Sequence, residues 1–255
     1  MHTDVTNISS ECPGQRWENW TRNGLMGSEG LKLRTSEDFE TSPGGGGLPV
    51  VHRPVVWIIQ DTHVCSQREL YELTTAWARL WGQLPRPDGP VLSYWSVSDI
   101  RVAGVSILLN PTVDESAAPW NLSCWSNRVV AVKIGDFRLV NVYAPNTPVD
   151  REHFFTSLLR WPWTQEVTVL ARDFNSVQSP PLYRLGGTKS GRPESAALQA
   201  LIESINLVYA RILSDNVDGD GDEPDPADFF TYWGPEAASR IDRFYVPQAW
   251  SSVVQ

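Results

Sequence analysis

The 255-residue sequence lacks the features that would tie it to a membrane, a secretory route or a cysteine framework. No apolar run approaches the roughly 20 residues that cross a bilayer, so no membrane association is expected. The opening stretch, MHTDVTNISSECPGQRW, has no hydrophobic core of the kind a secretory signal needs. Three glycosylation-type triplets, starting at Asn7, Asn19 and Asn121, are therefore read as chance. Cysteines are few and odd in number (Cys12, Cys65 and Cys124), with no Cys-x-x-Cys pair, which argues against a zinc cage or a disulfide scaffold and for reduced thiols. An intracellular protein, nuclear or cytoplasmic, is the expectation. Basic charge is also short: 21 Lys and Arg stand against 30 Asp and Glu, a net charge of -9. A protein that coats nucleic acid through a broadly basic surface is excluded on that ground.

The acidity is local. Seven acids fall between Asp215 and Asp228 with no base among them, so the rest of the chain carries about -2 and can present a mixed or locally basic groove. Within that stretch, Asn216 to Gly221 looks like the start of a calcium loop, but the twelfth position is Ala227 where a bidentate Glu is needed. A solvated acidic loop is the plainer reading. What the chain has in quantity is hydrophobic residues, 41%, and twelve tryptophans, enough for a sizeable core. Trp17, Trp20, Trp161 and Trp163 flank polar or proline-containing segments and are expected to be partly exposed.

Residues 1–16 are polar and aperiodic and are expected to be disordered; residues 17–255 are expected to form one domain. Gly44–Gly47 reads as a flexible loop. Val55–Gln60 (VVWIIQ) is a buried strand by its short apolar run. Ser66 with Glu69 three residues on is a capping box, and Leu70, Leu73, Trp77, Leu80 and Trp81 form the stripe of the helix it opens, with Pro85 and Pro87 as its stop. Val91–Val97 and Gly104–Leu109 are strands. Arg128–Ile134 and Phe137–Tyr143 flank Gly135-Asp136 and form a hairpin. Thr147-Pro148 starts a helix with Pro at its first position and Phe154, Phe155, Leu158 and Leu159 inward. Val167–Ala171 is a further buried strand. A helix over Pro193–Asn206 carries Leu198, Leu201, Ile202 and Ile205 at helical spacing, and Phe229–Trp233 and Ile241–Val246 are the last strands. Hairpins mixed with helices predict two sheets packed together and covered by helices.

Polar residues gather just after the buried strands, where a sheet end presents groups to a cleft. Gln60-Asp61-Thr62-His63, Asn141 to Asn146, Asp173-Phe174-Asn175 and Ser239 to Arg243 are the four clusters. Any one alone is an ordinary strand ending. Taken in order, with WTRNGL (20–25), RVAGVSILLN (101–110), REHFFTSL (151–158), PPLYRLGG (180–187) and FTYW (230–233), they resemble the endonuclease/exonuclease/phosphatase superfamily and, within it, the endonuclease domain of non-LTR retrotransposons. The resemblance implies an α/β fold: a four-layered sandwich of two packed mixed sheets flanked by helices, with the site at one edge of the two sheets. It implies magnesium-dependent cleavage of DNA phosphodiesters, with Mn²⁺ as the substitute metal. Phosphodiester cleavage needs neutralised phosphate charge, an activated water and a stabilised leaving oxygen, and a hard divalent cation supplies the first and part of the third. By the same resemblance Asp61 is the metal carboxylate, Asp173 and Asn175 orient and deprotonate the water, and Tyr143 contacts the phosphate. Asp242 supports a catalytic histidine, and Asn23, Thr231 and Ser239 line the substrate side.

The sequence departs from that pattern in several places. Thr21 stands where an Asn is expected, and Asp61 where a Glu is. Ala171-Arg172 replaces a Gly-Gly pair, and Tyr183 and Tyr209 replace two Asp residues. A terminal Ser-Asp-His segment is expected more than twenty residues past Asp242, yet thirteen follow it, none His. Asp242 is therefore expected to find Arg240, Arg243 or another local cation, or to take up a proton. An unpaired sheet edge is expected as well, and with it self-association. Two functions stay open on this reading: a magnesium-dependent DNA endonuclease domain of a retroelement, or a non-catalytic remnant that keeps the fold as a binding module.

Overall fold

The computed structural model describes residues 56–83, 91–98, 102–111, 117–164, 167–186, 194–210 and 230–250. The expectations for residues 1–16, Thr21, Asn23, the glycine run, Pro85, Pro87 and the acidic stretch lie outside the described residues.

Among the described residues, twelve strands and four α-helices follow in order: β1 (Val56–Gln60), α1 (Gln67–Leu80), β2 (Ser93–Trp95), β3 (Val105–Leu109), β4 (Ala117–Pro119), β5 (Val129–Ile134), β6 (Phe137–Tyr143), α2 (Pro148–Leu158), β7 (Val167–Asp173), α3 (Pro180–Tyr183), β8 (Arg184–Gly186), α4 (Ala196–Ser204), β9 (Leu207–Tyr209), β10 (Tyr232–Trp233), β11 (Ala237–Ser239) and β12 (Asp242–Pro247). The main sheet is six-stranded and mixed, in the order β4-β5-β6-β7-β12-β9, with β6 and β7 parallel. A second sheet has the order β1-β3-β2, and a small third one the order β10-β11-β8.

Strand alternation sorts the core into layers. On β6, Leu139 faces the second sheet together with Val169 and Ala171 of β7, Val246 of β12, and Val56, Ile58, Val105, Ile107 and Leu109 from the other side. Val140 and Val142 point the opposite way, against Phe155 and Leu158 of α2 and Leu198, Leu201 and Ile202 of α4. On the outer face of the second sheet, α1 lays Trp77 over Ile59 and Leu108, with Leu70, Leu73, Leu80 and Trp81 half-buried beside it. Helix, sheet, sheet, helix is the four-layered sandwich that the sequence predicts.

The helix ends are chemically explicit. Ser66 accepts a hydrogen bond from the Glu69 amide, and the Glu69 carboxylate in return accepts one from the Cys65 amide at 2.8 Å, a capping box displaced by one residue. The stop of α1 is not the proline pair. Gly82 has φ +69°, its amide donates to Arg79 O and that of Gln83 to Ala78 O, which is a Schellman motif. Thr147 and Ser195 cap α2 and α4 by accepting from the Asp150 and Leu198 amides. The last helix is thus shorter than expected, beginning at Ala196, and Asn206 (φ +53°) ends it. The β5–β6 hairpin forms as predicted, with Gly135 at φ +54° in its two-residue turn.

Other expectations change. The strand expected over 91–97 shrinks to Ser93–Trp95, because its ladder with β3 covers only three residues. That expected over 229–233 begins at Tyr232. Trp161 is buried, 8% exposed, and stacks on Trp163 at 5.7 Å between ring centres. Strands β4, β8, β9 and β11 were not expected from the sequence.

Two carboxamides join the sheets. Asn141, fully buried, donates from Nδ2 to Ile59 O at 3.0 Å and to Ser106 O at 2.9 Å. Gln60 Nε2 donates back to Val142 O at 2.8 Å. Replacing Asn141 with Ala leaves two buried carbonyls without their donor, so Asn141→Ala is expected to lower unfolding stability by about 3 kcal/mol. Urea denaturation measures this, and a loss within experimental error would remove the bridging role.

Candidate active site

The register of the main sheet sets three polar residues in one row. Tyr143 on β6 pairs with Asp173 on β7, and Asp173 pairs with Asp242 on β12. Alternation puts all three on the face turned to the second sheet, at the end where β6 and β7 finish and β12 begins. Across the gap, Asp61 follows the last residue of β1, and the Tyr143 hydroxyl donates to its Oδ2 at 3.3 Å. Chain segments 82 residues apart thereby meet at one sheet end.

The Asp61 turn is held by close packing. Asp61 and His63 both have positive φ, 53° and 51°. The Thr62 and His63 amides donate to Gly104 O and Ala103 O at 3.2 and 3.1 Å. Gly104 is at φ +110°, and a Cβ there would lie 2.7 Å from the His63 nitrogen, so glycine is what lets the two backbones approach. His63 completes this strand-end turn.

The turn after β7 is fixed by hydrogen bonds. Asn175, at φ +44°, donates its amide to Asp173 Oδ1 at 2.7 Å and its Nδ2 to Ala144 O at 2.6 Å. Two buried guanidiniums hold the same turn: Arg151 donates to Asn175 O, and Arg243 donates to Ser176 O. Thr231 lies beside Asp242, and its Oγ1 accepts from the Ile241 and Asp242 amides at 3.1 and 3.0 Å. Ser239 is buried on β11, and its carbonyl accepts from the Thr231 amide at 3.1 Å. Of the residues singled out from the sequence, Asp61, Tyr143, Asp173, Asn175, Asp242 and Thr231 thus come together. Ser239 stands one hydrogen bond behind them, and Asn23 lies outside the described residues.

The electrostatics are those of a crowded acidic end. Burial pushes Asp173 up to about 7, with the Asp242 and Asp61 carboxylates adding to the rise and its hydrogen bond from Asn175 and the Arg243 charge opposing it. Burial also raises Asp242, while Arg172, the Thr231 hydroxyl and Arg243 pull it down. Its main cation is therefore Arg172, and Arg240 instead lies over the Tyr209 ring, 4.9 Å from its centre. Burial and the nearby Asp61 and Asp173 push the Tyr143 phenol up to about 12, so it stays neutral and can donate. Where the resemblance expects two Asp residues, Tyr183 and Tyr209 meet ring to edge at 6.1 Å. Arg184 pairs with Glu194 at 2.6 Å. Arg243 is among the cations expected beside Asp242, and the arginine in place of a glycine is the sequence signal for Arg172; Arg151 has no such signal.

Among the described residues no group of three or more His, Cys, Asp and Glu side chains is gathered into a metal cage. The acidic end offers one exposed carboxylate, Asp61, with Asp173 and Asp242 behind it.

No protein-family model matches the sequence, and no curated protein matches it. The chain is similar in structure to an AP endonuclease from Archaeoglobus fulgidus (15% identity, 78% of each chain covered, TM-score 0.47). It is also similar to a 3′-5′ exonuclease from Neisseria meningitidis (16% identity, 78% of each chain, TM-score 0.48). A third similar structure is an endonuclease/exonuclease/phosphatase from Beutenbergia cavernae (15% identity, 77% of this chain and 56% of that one, TM-score 0.40).

The Asp173 shift has a sign that can be checked. A carboxyl raised in the folded state binds its proton more tightly there than in the unfolded chain, so its stabilising effect is full below the ordinary carboxylate range and is lost as pH rises to about 7. Relative to the parent, metal-free Asp173→Asn is expected to gain stability steadily from pH 4 to pH 8. Denaturation midpoints across that range test this, and a pH-independent difference between the two proteins contradicts the buried, crowded carboxyl.

Proposed function

We propose that this chain is a magnesium-dependent phosphodiesterase, a DNA endonuclease-like domain derived from a retroelement. The observation that carries the reading is the row of Tyr143, Asp173 and Asp242 facing Asp61 across the sheets. The order of motifs along the sequence supports the retroelement origin and DNA as the substrate.

The chemistry fits the residues. A carboxyl pushed up to about 7 is a suitable base near neutral pH, and the Asn175 amide fixes its orientation. The neutral Tyr143 hydroxyl is a donor to a phosphate oxygen once it leaves Asp61. Mg²⁺ takes oxygen ligands, keeps most of its waters and needs only one or two carboxylates. Asp61, exposed on its tight turn, is the residue to hold it, and Mn²⁺ fits the same donor. When bound, the ion supplies charge neutralisation at the phosphate. Thr231 steadies Asp242, while Asn23 and Ser239 belong to the substrate side. The non-catalytic alternative is favoured by the shorter Asp61 carboxylate and by Tyr183 and Tyr209 standing where the resemblance expects two Asp residues. Self-association is part of the same proposal: β9, three residues long, is the described edge of the main sheet next to β12, and a second copy pairing there would show as a concentration-dependent dimer in ultracentrifugation.

The deciding experiment is the nicking of supercoiled plasmid by the full chain with Mg²⁺. The parent is expected to nick, and Asp173→Ala to be slower by at least about a hundredfold, the usual contribution of a positioned base. Equal rates in parent and variant, or no Mg²⁺-dependent nicking at all, leave the binding-module reading. Asp61→Glu, which extends the carboxylate by about 1.5 Å, is expected to tighten Mg²⁺ binding in titration calorimetry. Unchanged affinity would mean that Asp61 does not hold the metal.

A further inference from the structure

Arg172 is 5% exposed, immediately precedes Asp173, and has φ +95°. That region is open to glycine and strained for a side chain as large as arginine. In a regular β7, Arg172 would share the helix-facing side with its register partner Arg243 on β12, which is 2% exposed. Two like charges directly opposite on buried strands oppose each other. The positive φ departs from the extended conformation on which this alternation depends. Its diagonal neighbour across the ladder is Asp242, since Asp242 pairs with Asp173 one residue further along. Arg243 is already committed: it donates to Ser176 O and lies over the Phe174 and Tyr245 rings, 5.5 and 5.7 Å from their centres. Of the two guanidiniums acting on Asp242, Arg172 has the larger effect.

We propose that Arg172 is a positioning residue of this site, its guanidinium serving as the counter-charge that holds the Asp242 carboxylate beside Asp173. Strain at a single residue persists only where surrounding contacts over-determine it, and a charge pair with Asp242 is such a contact. A buried carboxylate without a cation takes up a proton or turns away, and either would move the group that faces Asp173 in the ladder. The activity arm rests on the proposed nuclease function; the stability arm does not.

The test is a double-mutant cycle on the full chain: Arg172→Met, Asp242→Asn, the two combined, and Arg172→Lys as the charge-keeping control. Thermal unfolding without metal and plasmid nicking with Mg²⁺ are read on each. Arg172→Met is expected to lower the melting temperature by several degrees and kcat by about tenfold with KM unchanged, a coupling of ordinary size for one contact. Arg172→Lys retains most of both. With Asp242→Asn already present, Arg172→Met costs far less in both readouts. Equal losses in the two backgrounds overturn the proposal. Should Arg172→Met alone fail to fold, a folded Arg172→Met/Asp242→Asn protein supports the coupling and an unfolded one overturns it. A parent that melts cooperatively but never nicks removes the nuclease reading, while the melting temperatures still decide the role of Arg172.

Discussion

Two side-chain amides determine whether this chain has a site at all. Asn141 reaches from the middle of β6 to the Ile59 and Ser106 carbonyls, and Gln60 reaches from the end of β1 to the Val142 carbonyl. Apolar packing between sheets is non-directional and would tolerate a slide of one strand against another. Directed hydrogen bonds in a dry interface do not, because each slip leaves a buried carbonyl unpaired. Gln60 and Val142 immediately precede Asp61 and Tyr143. Fixing the first pair therefore fixes the second, and the 3.3 Å contact between Tyr143 and Asp61 follows.

The register of the main sheet then adds the remaining groups at no further structural cost. A parallel β6–β7 pair and an antiparallel β7–β12 pair both end in the same row, so Tyr143, Asp173 and Asp242 share one face and one height. Burial raises both Asp173 and Asp242, and at Asp173 the Asp242 and Asp61 carboxylates add to the rise. Part of the balance comes from buried arginines. Arg151 and Arg243 pin the turn after β7 through the Asn175 and Ser176 carbonyls, so the residues that position Asp173 and Asn175 also bring positive charge near them. The balance is incomplete, and the deficit is what a hydrated cation near Asp61 would relieve.

Long apolar runs such as Val167–Ala171 and the Gly135-Asp136 hairpin could be read in advance, because five to seven residues carry a full period. Three-residue strands such as β8, β9 and β11 carry none, and they form only because a neighbour offers a ladder edge. Prolines mislead about α1, since Gly82 ends that helix first with a positive φ that composition does not reveal. The candidate site's members are more legible than the fold's small elements: Asp61, Tyr143, Asp173, Asn175 and Asp242 stand out in the sequence, and the structure brings them close together. The site's charges were legible in part: Arg243, next to Asp242, and Arg172, next to Asp173, are local cations by sequence, whereas Arg151 lies on α2 and nothing in linear spacing brings it to the same place.

Asp173 sits in a crowded carboxylate row, and on the proposed function that row is open to a cation at Asp61. Carboxyl-carbon NMR of the full chain, titrated with and without Mg²⁺, reads that most directly. Asp173 is expected to titrate near 7 without metal and to move well down when Mg²⁺ is added, with the same shift absent in Asp61→Asn. An Asp173 that titrates in the ordinary carboxylate range and ignores Mg²⁺ would contradict this arrangement.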